Sequence, residues 1–239
     1  MKPIPALVFL LTTMILAPFS TLLSAQETSG SSAVKSGSVL AYRPPVRGAP
    51  ASRVGGGSRG VGDATLELSV LAPDHTGLTT HSQPTLYWYI SKPASARLDV
   101  TVIDDKEIDP LLEHVVGIPK DAGIQHLDLA SIGTTLEPGV EYRWFVAVIP
   151  DEKQRSSDLV ASGTIQYTKP DAVLVNSLAS ADTRTSATIY AGQGVWYDAV
   201  DAISRAIQQN PDDAGLRAQR AALLEQVGLE TAAVHDRRQ

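Results

Sequence analysis

The stretch that decides the fold is Glu141-Tyr142-Arg143-Trp144-Phe145-Val146-Ala147-Val148-Ile149. Side chains alternate between the two faces of a β-strand, and this alternation puts apolar residues on both faces of the stretch. Two covered faces predict a central strand in the middle of a β-sandwich. The preceding Pro138-Gly139 predicts a type II turn, because proline fixes φ at the second position and glycine supplies a positive φ at the third.

Five further segments predict strands around this one, because apolar and polar residues alternate in them. They are residues 66–70, 85–90, 97–103, 126–129 and 159–168. Turn signals such as the charged run 104–107 separate the strands, and no helical period interrupts them. The sequence therefore predicts an antiparallel β-sandwich over residues 64–169, immunoglobulin-like or fibronectin-III-like.

From Pro170 the apolar period becomes helical, which predicts a small all-α tail over residues 170–239 and an α+β fold class. The clearest helix carries Trp196, Val200, Ile203 and Ile207 and stops at Asn210-Pro211. Another helix starts at Asp212 or Asp213 and ends at Gly228, and weaker helices are expected at 171–181 and 183–191. Short helices with an apolar stripe are marginal alone, so we expect the tail to dock on the sandwich.

The N-terminus predicts a secretory signal peptide over residues 1–25. A positive start at Met1-Lys2 precedes an apolar run over 4–19 and the small-residue site Leu23-Ser24-Ala25. The alternative is an uncleaved transmembrane anchor, but Pro18 breaks the run, which is shorter than the roughly 20 residues of a membrane span. No other segment is apolar over a similar length, so the mature chain is not expected to cross a membrane. Because the sequence has no cysteine, it holds neither a disulfide nor a lipid attachment site. Export without disulfides favours the periplasm or exterior of a bacterium.

Residues 26–63 are rich in Gly, Pro and Ser and poor in large apolar side chains, which predicts a disordered linker. This linker is basic, whereas the whole chain carries a net charge of −6. Four of its arginines are candidates for binding anionic lipid, polysaccharide or the acidic body itself; they are Arg43, Arg47, Arg53 and Arg59. A merely solvated linker is the alternative. Nucleic-acid binding is not expected of an exported, acidic protein.

Two tyrosines of the strand at 85–90 form a further candidate binding site. Tyr87 and Tyr89 are expected on the face opposite Leu86, Trp88 and Ile90. An aromatic patch on that face could bind a sugar or a protein partner. The alternative is that the tail helices cover both tyrosines.

No catalytic constellation is visible in the sequence. Cysteine and a G-x-S-x-G motif are both absent, which leaves no nucleophile site of the usual kinds. His75 and His81 lie near Asp74, but two imidazoles and one carboxylate are an incomplete zinc site. We therefore expect neither a metal nor another cofactor.

Several separate motifs follow one another between Arg47 and Leu229. They include Arg47-Gly48-Ala49-Pro50, Gly55-Gly56-Gly57-Ser58-Arg59, Leu71-Ala72-Pro73, Pro84-Thr85-Leu86-Tyr87-Trp88-Tyr89, Leu136-Glu137-Pro138-Gly139 and Gly194-Val195-Trp196-Tyr197-Asp198-Ala199. Together they resemble a bacterial exported family known only as domain of unknown function 928. The resemblance implies no activity, cofactor or catalytic residue.

The C-terminal helices carry a second, partial resemblance. The run from Trp196 to Asp213 is similar to the second helix and terminal Asn-Pro of a tetratricopeptide repeat, and Gly228-Leu229 with Ala232-Ala233 resembles the start of the next repeat. Fewer than two repeats cannot bury their own apolar faces, which again predicts docking.

These patterns predict a non-catalytic exported module that serves interaction or assembly in the bacterial cell envelope. Its partner would be another envelope protein. The alternative is a hydrolase of envelope polymers that uses carboxylates which the sequence does not identify. Nothing in the sequence indicates an oligomeric state.

Overall fold

Eight strands precede five helices in the part of the chain that this computed structural model describes, residues 40–45, 66–104 and 106–239. The strands are β1 (Leu68–Val70), β2 (Gly77–Thr79), β3 (Thr85–Ile90), β4 (Arg97–Asp104), β5 (Leu112–Gly117), β6 (Gly123–Asp128), β7 (Glu141–Ile149) and β8 (Leu159–Tyr167). Short 3-10 turns follow β6 at Leu129–Ile132 and precede β8 at Arg155–Ser157. The fold class is α+β, as the change of apolar period predicts.

The strands form two open sheets. One has three strands in the order β1-β3-β6, and the other has five in the order β2-β8-β7-β4-β5. All neighbours are antiparallel except β2 and β8, which are parallel. The prediction of a purely antiparallel arrangement is therefore wrong for one pair. Strands β2 and β5 were not predicted from the sequence, so six strands were expected where the described residues form eight.

Strand β7 lies in the middle of the five-stranded sheet, between β8 and β4, as its sequence predicts. Its observed bounds, Glu141–Ile149, are those of the predicted strand. The expectation that both faces are covered is wrong. Trp144 and Val146 are buried, whereas Arg143 on the other face is exposed and Phe145 is only half-buried. Among the described residues, the helices pack mainly against β2, β3 and β6.

The predicted turn before β7 is confirmed. Gly139 has φ of 82°, and the Val140 N–H lies 3.4 Å from the Glu137 carbonyl oxygen that it bonds across the turn. Such a positive φ is the conformation that glycine adopts without strain. The turn therefore sets where β7 begins.

The five helices are α1 (Ala172–Leu178), α2 (Thr183–Gly192), α3 (Trp196–Gln209), α4 (Ala214–Glu225) and α5 (Glu230–Arg237). Aspartates cap three of them, since Asp171, Asp182 and Asp213 accept bonds from first-turn N–H groups. Gly228 has φ of 69° and ends the α4 region. Four helices were predicted from the apolar period. That period does not reveal α5, because the segment is polar and only eight residues long; its only sequence signal was the resemblance of Gly228-Leu229 and Ala232-Ala233 to the start of a repeat.

The start of α3 makes direct hydrogen bonds to β7, to β8 and to the residue that follows β1. Trp196 Nε1 donates to the Leu71 carbonyl at 2.8 Å. The Tyr197 hydroxyl donates to the Thr164 carbonyl of β8 at 2.9 Å and accepts a bond from Trp144 Nε1 at 2.8 Å. Both aromatic side chains are almost fully buried. The helices therefore share one core with the strands.

Part of the predicted linker is ordered. Leu40 is fully buried, and the Arg43 N–H donates to the Ala191 carbonyl at 3.0 Å. The expectation of a disordered linker is therefore wrong for residues 40–45, because Leu40 and Tyr42 supply apolar surface that the general composition of the segment conceals. Residues 26–39 and 46–63 of that linker lie outside the described residues, as does the predicted signal peptide.

None of the helices described is long and apolar enough to span a membrane.

Candidate functional site

Only three of the six predicted binding residues lie in the described part of the chain. Tyr87 and Tyr89 lie on β3 and are each 4% exposed. The Tyr87 hydroxyl donates to Asp201 of α3, and the Tyr89 ring lies 5.3 Å from that of His235 of α5. The structure thus places both tyrosines beneath helices, as the alternative interpretation expected. Their role in binding stays a prediction.

Of the four arginines predicted to bind an anionic surface, one lies in the described part of the chain. Arg43 has an exposed side chain, and its backbone contacts the end of α2. Arg47, Arg53 and Arg59 lie outside the described residues. Binding of an anionic surface by these arginines stays a prediction.

A polar cavity of about 380 Å³ lies between α2, α3 and the loop before β3. The side chains that give it chemical character are His81, Ser186, Tyr190, Asp198, Asp201 and Arg205. Of these, the sequence analysis considered only His81, as part of an incomplete zinc site. Two of these side chains, Asp198 and Asp201, are carboxylates that accept hydrogen bonds from the protein.

Asp198 is the buried carboxylate of the cavity, at 4% exposure. Its Oδ1 accepts from the Thr79 hydroxyl at 2.5 Å, and its Oδ2 accepts from the Thr80 N–H at 2.8 Å and from the Thr80 hydroxyl. Burial raises the pKa of the Asp198 carboxyl, although the nearby His81 and the threonine hydrogen bonds act in the opposite direction. These contacts tie α3 to the end of β2.

Asp201 is the second carboxylate of the cavity. Its Oδ1 accepts from the Tyr87 hydroxyl at 2.9 Å, and its Oδ2 accepts from Arg205 Nε at 2.7 Å. Burial, and then the negative charge of Asp201, raise the pKa of Tyr87 well above its usual range. Each oxygen of each cavity carboxylate therefore already holds a donor from the protein. The bonds of Asp198 join α3 to the end of β2, and the bond between Asp201 and Tyr87 joins α3 to β3.

The two histidines that were considered for a zinc site contact different residues. His75 Nδ1 lies 3.1 Å from Asp74 and its Nε2 lies 2.8 Å from the Tyr42 hydroxyl, whereas His81 lies 4.0 Å from Asp198. Among the described residues, no group of three or more His, Cys, Asp or Glu side chains could hold a metal ion.

The second candidate surface is the outer strand of the five-stranded sheet. Strand β5 pairs with β4 on one side and is the last strand in the described order of that sheet. Large apolar side chains are exposed along and beside it; they are Ile108, Leu111, Val115, Val116 and Ile118. We call these five residues the β5 edge. Ile108 is 96% exposed. Exposed large apolar side chains that lie together are typical of an interaction site, and these five lie close together in the chain.

Acidic side chains border the β5 edge. Glu107, Asp109 and Glu113 are all exposed and lie next to its apolar residues in the chain. An unpaired strand edge also presents main-chain N–H and C=O groups, to which another strand can bind. The arrangement is suited to a partner that is extended, apolar and basic.

A sequence signal for β5 existed but was not recognised. The doublets Leu111-Leu112 and Val115-Val116 break the alternation that marks a strand. The register between β4 and β5 shifts between Leu98 and Asp99, so an extra residue of β5 is accommodated there. Such a bulge conceals the two-residue period from sequence reasoning.

Comparisons with known proteins identify a family but no activity. The model of the family Domain of Unknown Function (DUF928) matches residues 54–236. No curated protein matches the chain. Among solved structures, a multi-domain immunophilin from Arabidopsis thaliana is 10% identical, with 74% of this chain and 93% of that one covered, at a TM-score of 0.23. So low a TM-score carries no argument about fold or function.

Proposed function

The chain belongs to the family Domain of Unknown Function (DUF928), and we propose that it is a non-catalytic interaction module of the bacterial cell envelope. The β5 edge carries this proposal. Its partner is another envelope protein that adds an extended strand to β5. The apolar side chains of that strand cover Val115 and Ile118, and its basic side chains face Glu107 and Glu113.

The chemistry of the β5 edge supports strand addition. Main-chain hydrogen bonds at a free sheet edge contribute affinity, and alternate side chains contribute specificity. Val115 and Ile118 are 57% and 58% exposed, so a partner strand would remove much of their apolar surface from water. The charges of Glu107 and Glu113 favour a basic partner and disfavour an acidic one.

We also propose that the two sheets pack together as one sandwich, immunoglobulin-like or fibronectin-III-like. Its support is the close approach of β1 to β8. A Cβ atom at Gly163 of β8 would lie 2.5 Å from Ala72 Cβ and 3.4 Å from Val70 Cγ2. Trp88 and Trp144, one from each sheet, are both fully buried.

The proposal also includes export, with a mature N-terminus near Gln26. Its support is the order of the positive start, apolar run and small-residue site in residues 1–25. Intact-mass measurement of the native protein checks this part. A soluble cytoplasmic protein that keeps Met1 would contradict it.

For the rival function, an envelope-polymer hydrolase, the cavity between α2 and α3 offers the carboxylates Asp198 and Asp201. Thr79, Thr80, Tyr87 and Arg205 donate hydrogen bonds to them. These contacts favour a structural role. Release of soluble fragments from purified envelope polymer by the wild type, lost in a folded Asp201→Asn variant, would establish the rival.

The experiment for the proposed function replaces two residues of the β5 edge. Val115→Lys/Ile118→Lys should abolish cross-linking to the partner in the native envelope, because lysine blocks edge pairing and repels a basic strand. The control is Val175→Lys on α1, where a valine of similar exposure is replaced far along the chain from β5. Both variants should keep the wild-type unfolding midpoint. Unchanged cross-linking of the double variant would refute the proposal, and a cross-linked product of twice the chain mass would identify a second copy as the occupant.

A further inference from the structure

An N-terminal arm, residues 40–45, lies across one end of the helices, where α2 ends, α3 begins and α4 ends. The contact residues there are Ala191, Gly194, Trp196 and Gln226. We call this surface the arm groove. It is separate from the β5 edge, and its contacts are those of a site built for an extended peptide.

The side-chain amide of Gln226 holds the main chain of the arm at two points. Gln226 Oε1 accepts from the Tyr42 N–H at 2.8 Å, and Nε2 donates to the Leu40 carbonyl at 2.6 Å. In an extended chain the C=O of one residue and the N–H of the second residue after it point to the same side. Gln226 Nε2 also donates to the Ala222 carbonyl at 3.0 Å, which orients the amide. The Gln226 side chain thus binds an extended main chain independently of the side chains that the segment carries.

Two side chains of the arm supply the specificity. Leu40 is fully buried in the core. The Tyr42 ring meets that of Trp196 edge to face at 4.9 Å, and its hydroxyl bonds to His75 Nε2 at 2.8 Å. Ala41 between them is exposed. The groove therefore reads a large aliphatic residue followed two positions later by tyrosine.

The floor of the groove requires a residue without a side chain. A Cβ at Gly194 would lie 2.6 Å from the Arg43 carbonyl oxygen and 3.2 Å from Pro45 Cδ. Gly194 also has φ of 76°, which favours glycine. The Arg43 N–H donates to the Ala191 carbonyl at 3.0 Å beside it. The backbone of the arm can lie directly on the α2–α3 turn only because Gly194 is there.

We propose that the arm groove is a peptide-binding site which the arm occupies in cis, and that a partner protein docks by inserting an extended Leu-x-Tyr segment in place of the arm. The arm contributes no strand or helix to the described fold, and residues 46–65 separate it from the sheets. A segment from another chain can therefore make the same contacts. This inference goes beyond the proposed strand addition at β5 and does not depend on it.

The test uses a labelled peptide with the sequence of residues 38–45 and three full-length mature proteins. Leu40→Asp weakens the arm, because it places a charge in an apolar site. This variant should bind the peptide at least about tenfold more tightly than the wild type, in which the tethered arm competes at a high effective concentration. Leu40→Asp/Gln226→Ala should lose about tenfold of that affinity, since two hydrogen bonds to the peptide backbone disappear. A peptide with serine in place of its leucine and tyrosine is the matched control.

Hydrogen exchange on the unmodified protein keeps the proposal testable if Leu40→Asp does not fold. An excess of the peptide should accelerate exchange of the Tyr42 and Arg43 amides, because displacement releases both from their acceptors. Unchanged exchange at saturating peptide, or equal binding to the variants with and without Gln226, would overturn the proposal. So would a wild-type dimer that Leu40→Asp dissociates, since the occupant would then be the arm of a second copy.

Discussion

At the residue scale, the segment 194–198 makes contacts that join the helices to the sheets and to the arm. Gly194 receives the arm, Trp196 bonds to Leu71, Tyr197 bonds to Thr164 and Trp144, and Asp198 bonds to Thr79 and Thr80. The segment is the same Gly194-Val195-Trp196-Tyr197-Asp198-Ala199 run that resembles the family. Tertiary contacts thus account for the residue types at these four positions.

We expect Gly194→Ala to lower the free energy of unfolding by about 1–3 kcal/mol, because a side chain at this positive φ is strained. The added Cβ would also collide with the Arg43 carbonyl at 2.6 Å. Urea unfolding measures the effect. Gly192→Ala is the control two residues earlier, where no atom lies within 4 Å of the added Cβ. Equal stability of the two variants would contradict this account of the turn.

At the element scale, a buried ion pair links three helices. Arg220 of α4 donates from Nε to Asp236 Oδ2 at 2.7 Å and from Nη2 to Asp236 Oδ1 at 2.6 Å, which joins α4 to α5. Its Nη1 donates to the Ser204 hydroxyl of α3 at 3.0 Å. The pair is 7% and 1% exposed. This contact holds the polar helix α5 against α4, as an apolar stripe would in a more hydrophobic helix.

Arg220→Met should cost about 3–5 kcal/mol of unfolding free energy, because it leaves the buried Asp236 carboxylate with only Arg217, at 4.0 Å, as a partner. Arg220→Met/Asp236→Leu should cost less than the single change, since no charge then stays buried. The matched control is Arg237→Met, which breaks the exposed pair between Arg237 and Glu225 across the same two helices and should cost much less, because solvent screens that pair. A double variant less stable than Arg220→Met would contradict this account, because the carboxylate left behind would then not be the source of the cost. Thermal unfolding checks all three.

At the scale of the whole molecule, helices and sheets share one core, so we expect them to unfold together. Trp196 is fully buried beside the strands and donates to Leu71. Trp196→Ala should cost about 3–5 kcal/mol and lower the midpoint of the entire mature protein. Trp196→Phe keeps most of the ring and should cost less.

Two probes distinguish this outcome from separate unfolding. Far-ultraviolet circular dichroism follows the helices, while fluorescence of Trp88 and Trp144 in the Trp196→Ala variant follows the sheets. Coincident transitions are expected of one cooperative unit. A helical transition that precedes the fluorescence change, or a chain truncated at Pro170 that keeps the wild-type midpoint, would show that the tail is an independent domain.

Local patterns in the sequence determined much of the secondary structure. The bounds of β7, the turn at Gly139 and the helix starts at Asp182 and Asp213 all follow from residues within a few positions of each other. Strand alternation, glycine conformation and N-capping act over such short distances. For the same reason α3 could be predicted from its apolar stripe.

Only the tertiary structure decided the features on which the proposals depend. The burial of one face of β7, the parallel pairing of β2 with β8 and the exposure of β5 depend on which distant segments pack together. The arm is ordered only because Gln226 and Trp196, more than 150 positions later in the chain, bind residues 40–45. Apolar periodicity shows which side chains are able to be buried. It does not show which partner buries them, because that choice follows from the free energy of the whole assembled core.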